Sequence, residues 1–169
     1  MTDTKKKVNL RRPTITKVKL GDMVVDEISG FEGIVTSITT FVAGCKRIGV
    51  KSQKLIDGKP IGTQVFDEQL LNITDRNIII PAKQVKKTIK LGDKIECVIN
   101  KHTGIAVSMT EYINGDITIG LAPEEVKDGK PEEPTAYDIG MLKKVKKQKI
   151  KKREGNTGGD QKISVAYGR

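Results

Sequence analysis

Apolar and polar positions alternate in short stretches punctuated by glycine. Met23-Val24-Val25 and Ile34-Val35 are followed by Ile38, Phe41-Val42, Ile48 and Val50. Period-two alternation rich in Val, Ile and Thr predicts half-buried strands. The pattern places five of them near 22–28, 33–42, 45–52, 63–67 and 69–72. Asp57-Gly58-Lys59-Pro60 reads as a turn, because glycine supplies positive φ and proline cannot sit in a central strand.

The whole pattern then returns 71 residues later. Leu20-Gly21-Asp22 recurs as Leu91-Gly92-Asp93, Ile48-Gly49 as Ile119-Gly120, and Asp57-Gly58-Lys59-Pro60 as Asp128-Gly129-Lys130-Pro131. Residues 19–71 and 90–142 share 18 identities in 53 ungapped positions, which establishes a tandem duplication. A five-strand sheet of this size has to curl and close to bury one face and remove its edges. The fold class expected is therefore all-β, two small antiparallel barrels in tandem. Each unit is near the lower limit for an independent core, so the two are expected to pack on each other or on partners. Gly33 and Gly104 suit a bulge or close backbone approach, and Gly44 and Gly115 suit hairpin turns.

Charge divides the 169 residues further. Residues 1–19 carry seven cations and one acid, 20–142 fourteen cations and eighteen acids, and 143–169 ten cations and two acids. The nets are +6, −4 and +8, which sum to the formal +10. The organisation read from this is a basic N-terminal arm (1–19), a first unit (20–71), a linker (72–90), a second unit (91–142) and a basic, flexible C-terminal tail (143–169). The candidate polyanion- or partner-binding residues are Lys5, Lys6, Lys7, Arg11 and Arg12 in the arm. In the tail they are Lys143, Lys144, Lys146, Lys147, Lys149, Lys151, Lys152 and Arg153. So dense a run of like charge is expected to stay unfolded until a partner neutralises it. Ile78-Ile79-Ile80-Pro81 in the linker predicts an extended segment buried between the units, with an ordinary connecting strand or an intersubunit contact as alternatives.

Candidate chemistry is sparse. Two cysteines and one histidine cannot build a Cys/His zinc site, and no cofactor is expected. Cys45 and Cys97 face Asp116 and Asp26 in the repeat alignment, so the duplication preserves neither. His102 replaces Phe31 and reads as a turn or surface residue, while Phe41/Tyr112 and Phe66/Tyr137 read as core. The recurring acids Asp22/Asp93 and Asp67/Asp138 read as turn caps, in which a side-chain oxygen accepts from a nearby backbone N–H. No nucleophile, base and oxyanion donor assemble, so an enzyme is not expected. No apolar run reaches the ~20 residues of a membrane span, and the charged start lacks a signal-peptide core.

The pattern at Leu20–Thr36, opening Leu-Gly-Asp and continuing Gly30-Phe31-Glu32-Gly33-Ile34, resembles the KOW and Tudor-like barrels of the SH3-like class. With Gly44-Cys45, Asp57-Gly58-Lys59 and Phe66-Asp67-Glu68 it also resembles small virion-associated proteins encoded by tailed bacteriophages. The second unit departs at Lys101-His102, Asp116 and Ile139. The resemblance implies tandem SH3-like barrels in a non-enzymatic structural protein of the virion, first of all a capsid decoration (cement) protein. It would be made in the bacterial host cytoplasm and be present in many copies, with the major capsid protein or other virion subunits as partners and no membrane. The alternatives are a head–tail connector or tail component, and a nucleic-acid-binding module making non-specific contacts through the lysine-rich tail.

Overall fold

The computed structural model describes residues 17–124, 126–127 and 130–145, and the chain there is all-β and antiparallel. The first unit comprises β1 (Met23–Asp26), β2 (Glu32–Phe41), β3 (Lys46–Lys51), a two-residue hairpin of β4 (Leu55–Ile56) and β5 (Lys59–Pro60), and β6 (Gln64–Asp67). A 3₁₀ turn, Glu68–Leu70, leads into β7 (Leu71–Asp75). The second unit repeats this order as β8 (Lys94–Cys97), β9 (Thr103–Tyr112), β10 (Ile117–Ala122), β11 (Val126–Lys127), β12 (Lys130–Pro131), β13 (Thr135–Asp138), a 3₁₀ turn Ile139–Met141, and β14 (Leu142–Lys144). The five strands expected per unit are all present. In the first unit the Asp57-Gly58-Lys59-Pro60 turn lies within the additional small hairpin β4–β5, and in the second unit β11 pairs with β12 in the same way.

Within the first unit the ladder runs β7-β1-β2-β3-β6, and within the second β14-β8-β9-β10-β13. No ladder joins the outermost two strands of either unit, so neither sheet closes on itself. The closure expected from the size of the sheet is corrected by what the strands do instead. A 3₁₀ turn joins the outer pair at the corner, and the C-terminal half of each long strand pairs with the other unit.

That second pairing fuses the chain into one ten-stranded sheet. β2 and β9 pair Ser37↔Tyr112, Ile38↔Glu111, Thr39↔Thr110, Thr40↔Met109 and Phe41↔Ser108. Because Ser37/Ser108, Thr39/Thr110 and Phe41/Tyr112 are repeat counterparts, this register is a local twofold centred on Thr39 and Thr110, whose hydroxyls lie 2.9 Å apart. Two further bonds obey the same symmetry. Val42 N–H donates to Val107 O at 2.8 Å, and Ile113 N–H donates to Thr36 O at 2.9 Å. The accepting residues are the bulges: the β2–β3 and β9–β10 ladders skip Thr36 and Val107. A bulge bends its strand and leaves a backbone group unpaired, and here the free carbonyl serves the other unit.

Each unit has its own core. The first gathers Val18, Val24, Val35, Ile48, Val50 and Leu71, and the second gathers the counterparts Ile89, Ile95, Ala106, Ile119, Leu121 and Leu142 with Cys97, Met109, Ile117 and Ile139. Volume is redistributed between them: Ala106 is smaller than Val35, whereas Ile89, Ile95 and Leu121 are larger than Val18, Val24 and Val50. Dense cores tolerate such compensated exchanges best. Phe66 and Tyr137 pack against their cores as expected. Phe41 and Tyr112 do not. Tyr112 is exposed, and Phe41 stacks under the Arg47 guanidinium at 5.7 Å, because their register puts them on the outer face of the cross-unit ladder.

Gly33 and Gly104 make the close approach anticipated for them. A Cβ on Gly33 would lie 2.4 Å from Lys51 O, and one on Gly104 2.2 Å from Ala122 O. Both obstructions are backbone and cannot rotate away. Gly33→Ala and Gly104→Ala are each expected to destabilise the fold by about 1–3 kcal/mol. Gly49→Ala meets the Ser37 hydroxyl instead, which can turn aside, and should cost less. Urea unfolding midpoints of the three variants check the order.

Candidate functional site

The repeated aspartates act where the chain enters each unit. Asp22 is fully buried and accepts from Lys19 N–H at 2.9 Å, Asn77 N–H at 3.3 Å and the Arg76 guanidinium at 2.7 Å. Asp93 accepts from Lys90 N–H at 2.8 Å and Lys144 Nζ at 2.7 Å. Both therefore cap the Leu-Gly-Asp turn, and each also recruits a cation from the strand or segment that leaves its own unit. Asp138 accepts from Gly140 N–H at 2.7 Å, capping its 3₁₀ turn, while Asp67 makes no such side-chain cap and faces Arg47. Asp26 is buried and holds the β1–β2 turn through Ser29, accepting from its N–H at 2.7 Å and its hydroxyl at 2.6 Å. In the second unit Cys97 occupies that buried position, and the turn keeps its shape with Lys101 at φ 63° where the first unit has Gly30.

Of the candidate binding residues, the structure describes Lys143 and Lys144; the others, Lys5, Lys6, Lys7, Arg11, Arg12, Lys146, Lys147, Lys149, Lys151, Lys152 and Arg153, lie outside the described residues. Lys143 and Lys144 belong to β14, so the ordered strand runs past the boundary at 142 expected from charge. Each is paired within the chain, Lys143 with Glu96 at 3.0 Å and Lys144 with Asp93 at 2.7 Å. Cys45 is exposed and free. His102 accepts or donates one 2.8 Å bond to the Tyr137 hydroxyl, and the ring pair repeats Phe31–Phe66 of the first unit.

The linker holds residues that sequence reasoning passed over. After Arg76 it turns at Asn77 (φ 52°), bends through Ile78 and Ile79 and then crosses both units: Ile79 N–H donates to Gly21 O, Ala82 N–H to Ile113 O and Val85 N–H to Gly115 O. Lys87 then reaches Glu111 at 2.8 Å. Ile78, Ile79 and Ile80 are 41%, 44% and 85% exposed, which corrects the expected burial. The segment lies over the sheet by its backbone bonds, and no second layer covers its outer side among the described residues. Beneath it opens a cleft of about 550 Å³, bordered by Lys17–Leu20, Ile38, Thr40, Lys46, Pro81, Gln84 and Glu111. Arg76 and Gln84 carried no signal of their own, because nothing in the repeat has a counterpart to them. Thr39 and Thr110, by contrast, were visible as identities at the centre of each long strand.

Comparison with family models, with curated proteins and with solved structures gave no match.

Arg76→Ala leaves the buried Asp22 carboxylate with two backbone donors and no cation. A loss of about 1.5–3 kcal/mol is expected, toward the low end because Arg76 itself is 37% exposed. Thermal unfolding of this variant beside Lys87→Ala, whose pair is more exposed, checks it.

Acid should weaken the fold through two named groups. Asp26 is held below the ordinary carboxylate value of 3.8 by the Ser29 hydroxyl first and the Ser29 N–H second, against burial. Asp93 is held below it by Lys144 first and Lys90 N–H second. A carboxyl depressed in the folded state stabilises above its unfolded value and loses that contribution as pH falls through the folded value. The melting temperature is thus expected to drop below about pH 4, and Asp93→Asn to flatten that acid limb while leaving its position near neutrality less changed than Arg76→Ala does.

Proposed function

We propose that this chain is a non-enzymatic structural protein of a tailed-phage virion, acting first as a capsid decoration protein. Its two units are read as SH3-like. In each, five antiparallel strands bring the last strand back beside the first, with a 3₁₀ turn between the outer two. The observation that carries the proposal is the phage-like pattern of residues 20–71 standing in a duplicated body several of whose recurring polar residues are spent internally. Asp22 and Asp93 cap turns, Thr39 and Thr110 meet on the local twofold, and Ser37 and Ser108 fill the space above Gly49 and Gly120. A body with twofold-related units offers similar surfaces in two directions, which suits a junction between two like subunits. Basic arms ordering along neighbouring subunits would extend that contact.

A second reading, non-specific nucleic-acid binding by the tail, ranks lower for a specific reason. Lys143 and Lys144 are already paired with Glu96 and Asp93, so phosphates must displace intramolecular partners to reach them.

Quantitative mass spectrometry of purified particles tests the proposal. On the order of hundreds of copies per particle is expected for a decoration protein on a symmetric shell. A dozen or fewer would move the chain to a connector or tail, and its absence from particles would end the virion reading.

A further inference from the structure

The local twofold relates the surfaces of one unit to those of the other, yet one pair is treated unequally. The linker crosses Gly21 and the β9–β10 hairpin on three backbone bonds. Ile79 N–H donates to Gly21 O at 3.2 Å, Ala82 N–H to Ile113 O at 2.9 Å and Val85 N–H to Gly115 O at 3.1 Å, a donor at every third residue. The counterparts of the three acceptors are Gly92 O, Val42 O and Gly44 O, and none of them accepts a backbone bond among the described residues. Gly21 and Gly115 are buried, with Ile79 O and Lys83 O where a Cβ would stand. Gly92 and Gly44 are exposed and meet nothing within 4 Å, and Val42 is 57% exposed.

We infer that the strip from Gly92 to the β2–β3 hairpin is the docking site of an acidic peptide segment of a partner protein, whose N–H groups, three residues apart, donate to Gly92 O, Val42 O and Gly44 O. The strip is continuous with the seam between the units. Val42 N–H already donates to Val107 O at 2.8 Å, so the hairpin backbone is fixed before a partner arrives. Carbonyls held in this way are recognised by main-chain donors, and flanking side chains select the partner. Charge then gives the partner's class. The covered strip carries Glu111 and Asp116, and the linker brings Lys83, Lys86 and Lys87 to it, Lys87 pairing with Glu111 at 2.8 Å. At the uncovered strip the counterparts of Glu111 and Asp116 are Thr40 and Cys45, which carry no acid. Cations appear there instead: Lys46 and Arg47 replace Ile117 and Thr118. Lys46 is held by Glu68 at 3.3 Å, but Arg47 is 62% exposed and stands 3.9 Å from Asp67. Lys90, two residues before Gly92, is exposed. A crossing segment with the linker's lysines is mismatched at this strip, and one with carboxylates in their place is matched. The strip's role does not depend on the virion reading.

The full chain, labelled with ¹⁵N, carries the test. The probe is a synthetic peptide of the Ile78–Thr88 sequence with Lys83→Glu, Lys86→Glu and Lys87→Glu. It is expected to shift, saturably, the amides of Ala43, Cys45 and Asp93, which share peptide planes with the three carbonyls. The parent peptide with its lysines should bind at least about tenfold more weakly. N-methylation of the acidic peptide at the positions of Ala82 and Val85 should weaken it by at least about tenfold, and N-methylation at the position of Lys86 should not. Arg47→Glu in the protein should weaken the acidic peptide as well. Equal binding after methylation at the two donor positions would overturn the inference, as would tighter binding of the lysine peptide or shifts at Ile113–Gly115 instead. Shifts of Ala43 and Cys45 that follow protein concentration without peptide would assign the strip to a second copy and overturn it too. No saturable shift with any of the peptides would overturn it outright.

Discussion

Everything in this molecule hangs on how the long strands β2 and β9 divide one edge. The first residues of β2, Glu32 to Ile34, pair with β1 of the same unit, and the last, Ser37 to Phe41, pair with β9. Between them Thr36 is bulged, and its carbonyl is the last acceptor offered to the other unit. A strand that stayed straight would have kept its partner or exposed its edge. The bulge allows one edge to serve two sheets, and because the duplication carries it to Val107, the same solution is used twice about one axis.

Fusion through backbone bonds has consequences for the cores. Neither unit needs to close by a ladder, since the exposed half of its longest strand is paired by the other. Each core then forms between the sheet and the segment that enters it, through Val18 or Ile89. This is why Asp22 and Asp93 matter beyond their turns. By capping Lys19 N–H and Lys90 N–H they fix the direction in which those segments arrive, and by binding Arg76 and Lys144 they tie each unit's exit to its entrance.

How much of this was legible in the sequence follows from which interactions leave a periodic trace. Strand positions were legible, since β-branched alternation and turn glycines are local, and the duplication was legible because eighteen identities fall in one frame. The caps were legible because Asp22 and Asp93 recur beside a turn. The fate of the edge was not: a bulge adds one residue without changing its type, so Thr36 and Val107 look like ordinary strand members, and closure seemed the only remedy for a small sheet. Phe41 and Tyr112 misled for the same reason. A one-residue shift past the bulge turns a core position into an outer one, and the Ile78–Ile80 run misled because apolar character does not tell which side of a segment a backbone ladder will occupy.

Joining two equivalent units in one chain also breaks their equivalence, and function has room to act there. In a homodimer both crossing strips would be covered or both open. Here a single linker of fixed direction can cross only from β7 to β8, so it covers Gly21 and the β9–β10 hairpin while their counterparts, Gly92 and the β2–β3 hairpin, stay exposed among the described residues. Some acids of the body are matched locally, as Glu111 with Lys87 and Glu96 with Lys143 show, while residues 1–19 and 143–169 carry nets of +6 and +8 against −4 for residues 20–142. The duplicated body is thus a mildly acidic frame, and the positive charge available for association belongs to its ends.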